Sequence, residues 1–197
     1  MKHFSLLFYF TLFLFSSCWD QQEKPYVLLI SFDGFRSDYL DWYDTPHMDR
    51  FVKEGVRAEG LIPVFVSKTF PNHYSIATGL YPENHGLIGN HFYDPKFEEY
   101  YSLSDRSKVE DPKFYSGEPI WITAEKQGVQ SASYFWVGTE APISGTYPTR
   151  WKRYDHEYPF ESRVDSIVSW LSLPENERPR LCLLYFHEPD HTGHDTG

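Results

Sequence analysis

Hydrophobic positions fall into two patterns along the chain. Tyr26–Phe32 and Leu181–Phe186 are continuous apolar runs of strand length, the pattern of parallel strands buried on both faces. Ser131–Phe135 reads as a shorter strand and Val56–Val66 as strand-rich. In Phe160–Leu171 the apolar residues Val164, Ile167, Val168 and Leu171 recur at helical spacing, and Pro174 ends the segment. Thr45-Pro46 opens a helix that runs to Glu54 and is closed by Gly55, and Pro119–Gln127 is a helix closed by Gly128. A further helix starts at Thr69, just before Pro71, and stops at Gly79. Strands alternating with helices in this order predict an α/β fold with a mostly parallel sheet flanked by helices. Residues 92–117 show no clear period and read as a surface excursion, and Gly138–Tyr158 as a Pro/Gly/aromatic loop.

The N-terminus follows a different logic. Lys2 precedes an uncharged apolar run, Phe4–Phe15, and small residues lead to Cys18. Such a run is too short to cross a bilayer, where about 20 residues are needed. Residues 1–17 are therefore expected to be a signal peptide of the lipoprotein type, with plain secretion as the alternative. On this reading Cys18 is lipidated, residues 18–25 are a tether, and the domain is exported, periplasmic or at the cell surface, anchored to a membrane surface. Cys182 lies in an apolar strand and reads as filler; a Cys18–Cys182 disulfide is the alternative that lipidation would forbid.

The formal net charge is −10, and loss of Lys2 with the signal makes it −11. That balance argues against a nucleic-acid-binding surface, which would be basic. An anionic substrate would need local cations, and metal ions are the economical source.

Candidate chemistry sits at the ends of the predicted elements. A hydroxyl at a helix start, Thr69, would share its position with unpaired N–H groups that suit an anion; a simple cap is the other reading. Asp33 follows the first strand, where ligands bind in open α/β sheets. Asn90 ends the glycine-containing stretch Ile88-Gly-Asn90, as an amide donor or a turn residue. After the last strand, Asp190 and His194 stand in a glycine-containing segment read as a loop, and both are ligand types suited to Zn²⁺.

The motifs Ser31-Phe-Asp33-Gly-Phe-Arg36, Lys68-Thr-Phe-Pro-Asn-His-Tyr-Ser75, Ala77-Thr-Gly-Leu-Tyr-Pro-Glu83, Gly89-Asn90, Gly117-Glu-Pro-Ile-Trp121, Phe135-Trp136, Glu188-Pro-Asp190 and Gly193-His194 occur in that order. Together they resemble the nucleotide pyrophosphatase/phosphodiesterase family of the alkaline phosphatase superfamily. The resemblance covers residues 26–197 and implies an alkaline-phosphatase-like fold with two Zn²⁺ ions. It implies Thr69 as the nucleophile, Asp33 binding one zinc with Thr69, and Asp190 with His194 binding the other. It also implies Asn90 as donor to a phosphate oxygen, and Phe70 and Tyr154 as rings on the two faces of a nucleotide base. The substrate would be a nucleotide or another phosphodiester small molecule. The family completes its metal sites with an Asp-His pair and a later His that follow the position of Gly197. The resemblance therefore implies the N-terminal portion of a catalytic domain, incomplete at the C-terminus, with weak zinc binding on its own and an exposed sheet edge. Within the superfamily, a phosphomonoesterase or a phospholipid-type phosphodiesterase is the alternative; from another class, a non-catalytic surface lipoprotein.

Overall fold

The computed structural model describes residues 25–196. The expected signal peptide and Cys18 lie outside the described residues.

Four strands form the main sheet: β1 (Val27–Phe32), β4 (Ser131–Tyr134), β5 (Arg150–Lys152) and β6 (Leu181–Phe186), in the order β1-β6-β4-β5. All three pairings are parallel, with Val27 opposite Leu181, Ser131 opposite Leu181, and Ala132 opposite Arg150. Every residue of β6 is buried. From Leu181 to Leu184 its side chains divide by the two-residue period of a strand, while Tyr185 joins the same cluster as its neighbours Leu184 and Phe186. Leu181 and Leu183 join Tyr74, Tyr101, Trp121 and Trp136 in one core cluster. Cys182, Leu184 and Phe186 join Tyr134, Phe135 and Ile167 in another. Burial of each large side chain stabilises the fold by roughly 2–3 kcal/mol. The Cys182 thiol is free, and burial pushes its pKa up to about 11.

The helices predicted from capping residues and, for the last, from apolar spacing are present: α2 (Pro46–Glu54), α3 (Thr69–Thr78), α6 (Ile120–Lys126) and α7 (Phe160–Leu171). The short helices α1 (Tyr39–Trp42), α4 (Pro82–His85) and α5 (Arg106–Val109) complete the set up to β6. Gly79 closes α3 in the left-handed conformation, φ 69°, and its N–H reaches the Ser75 carbonyl. No helix among the described residues is long and apolar enough to cross a membrane.

Four expectations are corrected. β1 is not buried on both faces: it is an edge strand among the described residues, and Val27 and Leu28 are 50% and 45% exposed. Its composition is that of an interior strand, while its place in the sheet supplies a neighbour on one side only. Val56–Val66 forms no strand, and Val56 and Ile62 are 99% and 92% exposed. Residues 92–117 are not a surface excursion. The antiparallel pair β2 (His91–Asp94) and β3 (Glu99–Ser102) places Phe92 opposite Tyr101, their rings stacked at 5.0 Å. Tyr101, Val109, Phe114 and Tyr115 from this segment are core residues. Finally, Gly138–Tyr158 is not all loop, since it contains β5, whose three residues are too few to show a period.

Candidate active site

The site is built where β1, α3 and the segment after β6 meet. The ladder between β1 and β6 continues one residue past the strand, with Asp33 N–H donating to the Phe186 carbonyl at 2.9 Å. The Tyr185 hydroxyl donates to Asp33 Oδ2 at 2.8 Å, and the Asp190 N–H donates to the Asp33 carbonyl at 2.9 Å. Gly34 makes this approach possible: its φ is +67°, and a Cβ there would stand 2.7 Å from Asp190 Cα.

Asp190 begins a helix, α8 (Asp190–Thr196), where a loop was expected. The segment lacks an apolar stripe and contains Gly193, which costs about 1 kcal/mol in a helix interior. Its first turn is instead satisfied from outside, with the Glu188 carboxylate accepting the Thr192 N–H at 3.0 Å. Helical spacing then puts Asp190 and His194 on one face, with Oδ2 and Nε2 3.6 Å apart.

Thr69 is the first residue of α3, and extended Lys68 occupies the cap position with no side-chain cap bond. The Phe70 N–H donates to Asn90 Oδ1 at 3.0 Å. Asn90 thus spends its oxygen on the helix start. Asn72 holds the approach to the helix, accepting from Val64 N–H at 2.8 Å and donating to the Val66 and Lys68 carbonyls.

His73 straps the helix to the sheet. Its Nδ1 donates to the Thr69 carbonyl at 2.7 Å, which leaves Nε2 to accept from Ser31 Oγ, also at 2.7 Å, in the neutral ring. Trp136 Nε1–H donates to the His73 carbonyl at 3.1 Å. Sequence reasoning missed this strap and Tyr185. The i,i+4 spacing of Thr69 and His73 was the available signal for the first; Tyr185 had none, because its partner lies 152 residues away.

Asp33, Thr69, Asn90, Asp190 and His194 line one cleft of about 1280 Å³. Lys68 lines it too. Phe70 and Tyr154 are not among the lining residues: Phe70 packs near Tyr101 with centroids 6.3 Å apart, and Tyr154 meets Phe135 edge-on at 5.2 Å. Among the described residues, no group of three or more His, Cys, Asp or Glu side chains is assembled to hold a metal ion.

The family profile described as type I phosphodiesterase/nucleotide pyrophosphatase matches residues 27–197. The chain belongs to this family. It is 46% identical over 177 residues to human ectonucleotide pyrophosphatase/phosphodiesterase family member 1, covering 89% of itself and 19% of that protein. It is also 46% identical over 177 residues to the venom phosphodiesterase CdcPDE of Crotalus durissus collilineatus, covering 89% of itself and 21% of the venom protein. Among solved structures, the murine ectonucleotide pyrophosphatase/phosphodiesterase 5, in an inactive threonine-to-alanine form in complex with AMP, superposes with a TM-score of 0.82 at 39% identity; 87% of this chain and 45% of that one are covered. The human counterpart gives a TM-score of 0.81 at 41% identity, over 85% and 44% of the two chains. This chain thus has the alkaline-phosphatase-like fold. It spans about a fifth of the length of these curated relatives and under half of the solved chains.

This chain also carries buried histidines that are expected to make it acid-sensitive. His85 is fully buried. Leu87 N–H donates to its Nδ1 at 3.2 Å, so the ring proton sits on Nε2, facing Ser75 Oγ at 2.9 Å. Burial pushes the His85 pKa down to about 4 from 6.5, and that of His73 in the same direction. The unfolded chain therefore takes up protons first as pH falls. The stability due to neutral His85 is complete above pH 6.5 and is lost as pH falls toward about 4, by up to roughly 3 kcal/mol. Denaturant midpoints measured from pH 7 to 4.5 are expected to fall steadily, and less steeply in His85→Gln. A flat profile would contradict the assignment.

Proposed function

We propose that this chain carries the nucleophile-bearing part of a zinc-dependent hydrolase that cleaves phosphodiester or pyrophosphate bonds of nucleotides. The observation that carries this reading is that Thr69, at a helix start, opens on the same cleft as Asp33, Asn90, Asp190 and His194. Thr69 Oγ attacks phosphorus, forming an O–P bond as the bond to the leaving oxygen breaks and the leaving group takes up a proton. A water molecule then hydrolyses the phosphothreonine, releasing the phosphoryl product and restoring the hydroxyl. Asn90 Nδ2 and the Thr69 N–H hold the charge developing on the phosphate; the Phe70 N–H is already given to Asn90 Oδ1 and Pro71 has none. Lys68 offsets part of the chain's negative field beside Thr69.

The donor set fits two zinc ions, one shared by Asp33 and Thr69 and one by Asp190 and His194. Tyr185 occupies Asp33 Oδ2 and leaves Oδ1 available. Each pair supplies two ligands, so water, substrate or further protein groups complete each site. With zinc held there, the pKa of the Thr69 hydroxyl would be lowered and charge on the leaving oxygen would be offset. A nucleotide ligand is supported by the AMP complex of the murine relative; Phe70 and Tyr154 would flank its base from beyond the residues that line the cleft. The ecto- names of the relatives support export, and Cys18 would carry the lipid anchor.

The test uses the complete gene product and three chromogenic esters: p-nitrophenyl thymidine 5′-monophosphate, p-nitrophenyl phosphate and p-nitrophenyl phosphocholine. The nucleotide diester is expected to react fastest, with activity lost to chelator and restored by Zn²⁺. Preference for p-nitrophenyl phosphate or for the phosphocholine ester would move the protein to another branch of the superfamily. Activity indifferent to chelator would overturn the zinc assignment.

A further inference from the structure

Arg163, on α7, is fully buried, and no carboxylate is among its hydrogen-bond partners. Its Nε and Nη2 donate to the Tyr158 carbonyl at 3.1 and 3.0 Å, Nη2 to the His156 carbonyl at 3.4 Å, and Nη1 to the Tyr185 carbonyl at 3.1 Å. Three rings surround the guanidinium, with Phe160, Phe135 and Phe186 centroids at 4.7, 4.8 and 6.0 Å. Asp155 acts on the guanidinium only at a distance; burying a cation without a hydrogen-bonded carboxylate is costly, and an apolar side chain of similar volume would commonly fill such a space with no loss of stability. What an apolar residue does not supply is the planar fork that reaches carbonyls on two separate segments at once.

Those two segments are the stretch after Tyr154 and the end of β6. Phe135, beneath the guanidinium, has φ +70°, an uncommon conformation for a residue with a Cβ. It meets Tyr154 edge-on at 5.2 Å, and Tyr154 lies 6.5 Å from Tyr185, whose hydroxyl holds Asp33. Arg163 therefore fixes the backbone that follows Tyr154, the end of β6 and the ring that Tyr154 packs on.

We propose that Arg163 is a positioning residue for nucleobase recognition: it acts through Phe135 and the 156–158 carbonyls to hold the Tyr154 ring where a flat aromatic base stacks. This rests on the reading of Tyr154 as a base platform. The guanidinium touches no ligand itself.

The experiment compares AMP with ribose 5-phosphate, which has the same phosphate and sugar without the base, by calorimetry on the full chain with zinc present. The variants are Arg163→Lys, Arg163→Met, Phe135→Leu and Tyr154→Ala, with thermal melting of each. In Arg163→Lys and Phe135→Leu the ratio of AMP to ribose 5-phosphate affinity is expected to fall about five- to ten-fold, the size of one aromatic contact. Combining Arg163→Lys with Tyr154→Ala should lower the ratio no further than Tyr154→Ala alone. A ratio unchanged in Arg163→Lys and Phe135→Leu, when Tyr154→Ala lowers it, would overturn the positioning role and spare the platform. Equal losses for both ligands would make Arg163 merely structural and also overturn it. A ratio untouched by Tyr154→Ala would overturn the platform itself, and the inference with it. Arg163→Met separates fork from volume: a ratio as low as in Arg163→Lys supports the fork, and a normal ratio counts against it.

Discussion

Replacing Thr69 by alanine is expected to lower hydrolysis of a nucleotide diester by at least about a thousand-fold, the scale seen when a nucleophile is removed. The expectation follows from position. Thr69 is the first residue of α3 and lines the cleft with Asp33, Asn90, Asp190 and His194. The strap that orients it uses its carbonyl, through His73, and alanine keeps that carbonyl. Alanine also has a higher helix propensity than threonine, so stability should change by no more than about 0.5 kcal/mol. Loss of rate with an unchanged melting temperature would assign the defect to chemistry. Full retention of rate would show that another group, or water directly, attacks phosphorus. Trapping labelled phosphate on the wild-type protein at acid pH, and its absence from the variant, checks the covalent step separately.

Gly34→Ala should have the second large effect, for a different reason. The new Cβ would stand 2.7 Å from Asp190 Cα and 2.8 Å from its Cβ, and the residue would keep a φ of +67°. The backbone conformation alone costs about 1–2 kcal/mol. The collision adds to this, because the atoms it meets are backbone and the start of a side chain, with no flexible end to swing away. Either the fold loses on the order of 3 kcal/mol in total, or α8 moves off the end of β1 and carries Asp190 and His194 with it. Both outcomes are measurable, as a lowered melting temperature or as zinc affinity reduced more than about ten-fold. Gly145→Ala is the control, since its φ is +74° with nothing within 4 Å of the new Cβ. It should show the conformational cost without the loss of zinc. If Gly34→Ala behaves like Gly145→Ala, the close approach of α8 to β1 is not what holds Asp190 in place.

The expected and observed elements agree where a local period was strong. α7 runs from Phe160 to Leu171 as its apolar spacing predicts, and Gly55 and Gly79 close α2 and α3. Agreement fails where burial comes from contacts without a period. The 92–117 segment is held by ring packing of Phe92, Tyr101 and Phe114 across a hairpin, with Phe114 5.2 Å from Tyr101. In α8, polar composition and Gly193 hide a helix whose first turn is capped by Glu188 and whose start lies against Gly34. For β1 the apolar run is real, and what a strand's own residues do not reveal is how many neighbours it has.

By itself the sequence determined the local periods of the main strands and helices and the placing of Asp33, Thr69, Asn90, Asp190 and His194 at or near element ends. It also held the ordered motifs of the phosphodiesterase family. Only the tertiary structure decided that these five side chains share one cleft, that Asn90 gives its oxygen to Phe70, and that His73 ties Thr69 to β1. It likewise decided that an arginine with no carboxylate among its hydrogen-bond partners binds the Tyr158 and Tyr185 carbonyls together. The physical reason is range: periodicity and capping act within a few residues, whereas Ser31 and His73 are 42 residues apart and Asp33 and Tyr185 are 152 apart. Contacts of that separation exist only once the sheet has brought its strand ends together.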